Sequence, residues 1–112
     1  MVNVELTGGP QLGVNAEGRM EALLPTSRTA SAWRRAFRDA LPSRQHTWRI
    51  SAHEDAITIV FDNEKQLASY MTTAIEAISS ANRELDALEA KIRELTGGSS
   101  ELPDALRTQR AD

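Results

Sequence analysis

Residues 63–95 read NEKQLASYMTTAIEAISSANRELDALEAKIREL, and apolar or small side chains recur in them at Leu67, Met71, Ala74, Ile78, Ala81, Leu85, Leu88, Ile92 and Leu95. The steps alternate four and three residues, and neither Gly nor Pro interrupts them. That spacing is the seam of a heptad-patterned helix. Asp62 or Asn63 can cap its start, Glu64 places a negative charge in the first turn, and Gln66 follows Asn63 at the capping-box distance. Gly97 and Gly98 provide the left-handed stop. A helix over this span makes a rod of roughly 50 Å, more than a domain of this mass needs to cover its own core.

The two halves of the rod differ. From Leu67 to Ala81 the seam is widened by Tyr70, Ile75 and Ala77, giving the broad stripe of a helix lying on a sheet. From Asn82 onward only Leu85, Leu88, Ile92 and Leu95 are large and apolar, separated by Glu84, Asp86, Glu89, Lys91, Arg93 and Glu94. A narrow seam fits another helix. The second half is therefore expected to project from the head and to pair with a second copy or another protein; the alternative is that it folds back on its own chain or frays alone in solution. With Leu85 and Ile92 at a and Leu88 and Leu95 at d, parallel pairing sets Glu84 of one copy against Glu89 of the other. Antiparallel pairing brings Glu84 towards Lys91 and is mildly favoured, exposed pairs being worth at most about 1 kcal/mol each.

Upstream, Ala56–Phe61 alternates Ile57, Ile59 and Phe61 with Thr58 and Val60, and Gln45–Ala52 sets Trp48 and Ile50 against Thr47, Arg49 and Ser51. Two strands joined by a tight turn at His53, Glu54 and Asp55 are predicted. Before them, Thr26, Ser27 or Thr29 can cap a helix running to about Leu41 and closed by Pro42. At about 100° per residue, Ala30, Trp33, Ala36, Phe37, Ala40 and Leu41 share one arc of that helix, while Arg34, Arg35 and Arg38 gather beside it. Trp33 and Phe37 are thus expected in the core. Val2–Thr7 alternates as a half-buried strand and Arg19–Leu24 as its partner, across a glycine-rich loop at residues 8–18. No Gly-Lys-Ser or Gly-Lys-Thr follows those glycines and no helix opens directly after them, so the phosphate-loop pattern is not met. The expected fold is an α+β two-layer sandwich of order ββαββα, a four-stranded antiparallel sheet with two helices on one face, the second ending in a coiled-coil-like extension. Residues 1–96 form a single domain in this reading, with the extension at about 83–96 and a flexible tail at 97–112.

Charge is segregated along the chain. Seven arginines face two acids between residues 19 and 49, whereas eleven acids face four bases between 50 and 104. Eleven arginines against two lysines is a bias that a GC-rich coding sequence also produces, so the arginine count alone does not argue for nucleic acid. With no cysteine there is no disulfide, thiolate nucleophile or thiolate metal site. No apolar run approaches the length of a membrane span and no signal-peptide pattern opens the chain, so a cytoplasmic location is expected.

Residues for catalysis are few. His46 and His53 lie near opposite ends of one predicted strand, and His53-Glu54-Asp55 reads as a polar turn, since adjacent side chains point in different directions. Neither a nucleophile elbow nor a Ser-x-x-Lys spacing is present. The chain is therefore expected to be no enzyme and to carry no metal or cofactor. Arg28, Arg34, Arg35, Arg38, Arg44 and Arg49 can form one positive surface if the first helix lies beside the third strand, a face for an acidic partner or, alternatively, for the phosphates of nucleic acid. Inward-pointing Trp33 and Trp48 would leave the nucleic-acid reading without stacking aromatics. A compact head, a heptad helix and a tail are the parts of a small adaptor or chaperone-like module. The expected assembly is a homodimer through Leu85, Leu88, Ile92 and Leu95.

Overall fold

A computed structural model describes residues 3–96, with strands β1 (Gln11–Val14), β2 (Met20–Pro25), β3 (Ile50–Ala52) and β4 (Ala56–Phe61), and helices α1 (Ser31–Ala40), α2 (Arg44–Arg49) and α3 (Glu64–Leu95). The strands form one antiparallel sheet in the order β1-β2-β4-β3. The α+β class, the four-stranded sheet and the long last helix are as expected. The tail at 97–112 lies outside the described residues, as does Val2.

Register explains which face is covered. Ala22 pairs with Ile59 and Leu24 with Ile57, while Ile50 pairs with Ile59 from the other side. Paired residues share a face, and all five are buried against α1 and α3. Glu21, Leu23, Thr58, Val60 and Ser51 alternate onto the opposite face, which no helix covers among the described residues. Trp33 and Phe37 fill the space between helix and sheet, their rings stacked with centroids 5.4 Å apart. Ala74, Ala77 and Ala81 present small side chains on the buried stripe of α3, so α1 can approach closely enough to seat those rings. Fully burying a large side chain of this kind is worth about 1.5–3 kcal/mol, so the aromatic pair is a principal anchor.

Two expected strands are corrected. Between Asn3 and Thr7 there is no strand of the sheet, only an isolated bridge between Leu6 and Thr26. Val4 is nevertheless buried, and its N–H and carbonyl bond to the Asn82 side chain on α3. The alternating residues thus tether the chain to a helix. The partner of β2 lies instead inside the stretch read as a loop: Gln11–Val14 joins β2 through a tight turn at Asn15-Ala16-Glu17-Gly18. The Asn15 side chain accepts from Glu17 and Arg19 N–H, and Gly18 takes a left-handed φ of 81°. That is the three-residue hairpin with a glycine bulge.

The second correction concerns Gln45–Ala52. Ser43 accepts from the His46 N–H and opens the short helix α2, so that only Ile50–Ala52 remains extended. With the backbone helical, Trp48 turns outward and is 75% exposed. A smaller correction applies to α1: Ala30 holds the cap position with no side-chain bond, while the buried Thr29 hydroxyl donates to the His53 carbonyl and ties α1 to the β3–β4 turn.

Helix α3 starts as the sequence indicates, with Asn63 accepting from Gln66 N–H at 2.8 Å. Its buried stripe runs through Tyr70, Ala74, Ala77, Ile78, Ala81 and Leu85. Leu85 is only 4% exposed and belongs to the head, whereas Leu88 and Leu95 are 53% and 76% exposed. The described part of α3 beyond Leu85 adds roughly 15 Å of rod, and the molecule measures 62 × 22 × 21 Å. Among the described residues no helix is long and apolar enough to cross a membrane.

Candidate interaction surfaces

The arginines of α1 border an open groove on the head. Arg34, Arg35 and Arg38 form one wall of a groove of about 700 Å³, the three residues of β3 form the other, and Thr47 of α2 also borders it. Helical spacing places those arginines together, because positions three and four apart lie on one face. The Arg34 guanidinium is positioned by donating to both the carbonyl and the hydroxyl of Thr29, each at 2.9 Å. Arg35 and Arg38 are exposed and take part in none of the ion pairs among the described residues. One acid, Asp39, shares the lining, so the groove retains a positive excess.

The other candidate arginines are dispersed. Arg28 makes a long, exposed pair with Glu54 at 3.8 Å. Arg44 opens α2 outside the groove lining. Arg49, the least exposed of the paired arginines, reaches Asp62 at 3.2 Å and the Gln66 side chain at 3.3 Å. It locks α2 to the start of α3. Arg19 completes that cluster by donating to Asp62 at 2.9 Å. The Arg19 hydrogen bond and the neighbouring Arg49 charge hold the Asp62 carboxyl below its ordinary pKa, against an opposing effect of burial. Asp62 therefore pins the β1–β2 turn, α2 and α3 at one point.

Both histidines serve local structure. His46 Nδ1 lies 2.6 Å from the Ser43 hydroxyl and its ring meets Tyr70 edge-on. His53 Nε2 lies 3.0 Å from the Thr58 hydroxyl. Among the described residues no group of His, Asp or Glu side chains is placed to hold a metal ion.

Among the described residues, exposed apolar side chains cluster in two places. On projecting α3, Leu88, Ile92 and Leu95 continue the buried stripe past the head, exposed to solvent. On β1, Leu12 and Val14 are exposed beside Met20, Phe61 and Leu67, because the helical layer stops short of that edge strand. Trp48 is a third exposed apolar group, next in sequence to Thr47 of the groove. Sequence reasoning placed it inside because Thr47-Trp48-Arg49-Ile50 alternates as a strand would; the Ser43 cap, three residues before His46, is the signal that would have turned it outward. No family model, no curated protein and no solved structure matches this chain.

Proposed function

We propose that the protein is a small, non-enzymatic interaction module that self-associates through the distal part of α3 and presents the basic groove of its head to a protein partner. The observation that carries this reading is the row Leu88, Ile92 and Leu95, exposed at successive helical turns of a rod that outruns its head. An isolated helical end in water gains little from its own hydrogen bonds, so burial of that row against a second helix is the available source of stability. Leu85 supports the base of the rod from within the core and leaves the seam proper to the three residues beyond it. The antiparallel arrangement, with Glu84 near the partner copy's Lys91, is the one its charges favour.

Absolute mass by light scattering tests the proposal. The parent chain should behave as a dimer, and Leu88→Asp with Ile92→Asp should give a folded monomer. A variant that keeps the parent's dimeric mass removes the seam from the interface, and a monomeric parent removes self-association altogether.

A second reading, nucleic-acid binding, is favoured by one observation: Trp48 offers an exposed aromatic face and is next in sequence to Thr47, which borders the groove of the α1 arginines. Stacking of one base on an exposed aromatic is worth about 1–3 kcal/mol. Single-stranded DNA should then bind at low salt and be weakened by Trp48→Ala; absence of binding by the parent chain rejects this reading.

A further inference from the structure

The groove beside α1 has a wall made of sheet edge. Strand β3 is terminal in the order β1-β2-β4-β3, so among the described residues one side of its backbone has no neighbouring strand. Which groups it offers follows from the hairpin. The His53 N–H donates to the Ala56 carbonyl at 2.7 Å, so these two form a hydrogen-bonded pair. Bonded and non-bonded pairs alternate along an antiparallel ladder. Ser51 therefore directs its backbone groups towards Thr58, whereas Ile50 and Ala52 direct theirs to the free edge. The Ile50 N–H is taken by the His46 carbonyl at the end of α2. What faces the groove is the Ile50 carbonyl and the Ala52 N–H and carbonyl, the set that an added strand requires.

Above this edge stand Arg34, Arg35 and Arg38. An extended chain laid along β3 turns alternate side chains towards α1, and carboxylates at those positions would meet the guanidiniums in charge-assisted hydrogen bonds. The same charges discriminate among occupants. Two copies joined β3 to β3 would bring two arginine clusters together, so the edge is guarded against self-pairing while an acidic strand is attracted. Asp39, on the same wall, disfavours a run of acids along the whole groove and favours alternation.

We propose that the groove between α1 and the free edge of β3 receives an extended acidic segment of a partner protein, which adds to the sheet as a fifth strand while its alternate carboxylates bind Arg35 and Arg38. Main-chain bonds supply affinity in this mode and side-chain contacts supply selectivity. The inference rests on the reading of the protein as an interaction module but does not depend on the α3 seam.

The test uses the full chain and a fluorescein-labelled hexapeptide alternating Glu and Val, with a Lys-Val peptide as its counterpart. Fluorescence anisotropy should register binding of the Glu peptide and none of the Lys peptide. Arg35→Ala with Arg38→Ala should weaken binding at least about tenfold through loss of two charge-assisted bonds. Strand addition is tested on the ligand, so that protein folding is not at issue: N-methylating every second amide in one phase should abolish binding, and in the other phase should leave it intact. Equal binding of both methylated peptides overturns strand addition, failure of the Glu peptide to bind overturns the proposal, and a single-stranded oligonucleotide that binds through the same arginines and is not displaced by the Glu peptide assigns the groove to nucleic acid instead. Light scattering on the same samples separates the two readings: a dimer without peptide binding overturns the groove alone, and a monomer that binds peptide overturns the seam alone.

Discussion

The indole N–H of Trp33 donates to Asn82 Oδ1 at 2.8 Å, and the same oxygen accepts the Val4 N–H at 3.0 Å while Asn82 Nδ2 donates to the Val4 carbonyl at 2.9 Å. One side chain on α3 thereby fixes α1 and the N-terminal segment together. Asn82→Leu keeps the bulk but leaves the indole N–H of Trp33, a fully buried side chain, without its acceptor. A loss of about 2–3 kcal/mol is expected from the orphaned donor and the released segment. In a domain of this size that lowers Tm by roughly 10 °C. Asn82→Asp retains both accepted bonds and should cost less. Thermal denaturation followed by circular dichroism checks the order; equal stability of all three chains would refute the role given to Asn82.

The boundary between head and rod lies within one helical turn, and it should be measurable as a step in stability. Leu85→Ala opens a cavity in the core and is expected to cost about 2–4 kcal/mol at any protein concentration. Leu88→Ala removes an isopropyl group from the exposed surface and should change monomer stability by less than about 0.5 kcal/mol. Its effect should appear only at concentrations where self-association contributes, since a dimer's stability depends on protomer concentration. Urea titrations at two widely separated concentrations distinguish the cases. A concentration-independent loss at Leu88 would place that residue in the core.

These two neighbours also show what a sequence can and cannot reveal. The stripe Leu67 to Leu95 was legible because helical periodicity is local and the Asn63 cap lies beside its start. Where the stripe leaves the core was not, since it depends on how far α1 and residues 3–7 reach along α3. The same limit applies to the groove. Arg34, Arg35 and Arg38 had to share a face once α1 was drawn, but that the free edge of β3 lies opposite them is a long-range fact of sheet order. The misread segments are short. Four residues of β1 and six of α2 are too few for periodicity to decide, and their signals were instead turn and cap residues: Asn15 and Gly18 for the hairpin, Ser43 for the helix.

The outward turn of Trp48 gives the chain two tryptophans in opposite environments, Trp33 in the core and Trp48 in solvent. Acrylamide should therefore quench only one emitting population. Trp48→Phe should leave a blue-shifted, protected emission from Trp33 with a stability change within about 0.5 kcal/mol. Strong quenching of the Trp48→Phe protein would contradict the burial of Trp33. Protection of both residues in the parent chain would mean that Trp48 is covered in solution, and a mass measurement would then show whether a second copy covers it.

Asp62 supplies the pH dependence. Its carboxyl is bound by Arg19 at 2.9 Å and Arg49 at 3.2 Å, and the Arg19 hydrogen bond is the main reason its folded pKa lies below the ordinary carboxylate value. Because the folded value is depressed, the stabilisation is fully present above the unfolded pKa and is lost as pH falls through the folded one. The destabilisation caused by Asp62→Asn should thus be constant at neutral pH and shrink on the acid side of the carboxylate range. Arg19→Gln with Arg49→Gln should return the carboxyl midpoint, followed by carbon NMR, towards its ordinary position. The two arginines act on one group from separate elements, so their single substitutions should each move the midpoint part of the way, Arg19→Gln the further. A penalty for Asp62→Asn that does not change with pH would show that the arginines hold this junction by packing and not by charge.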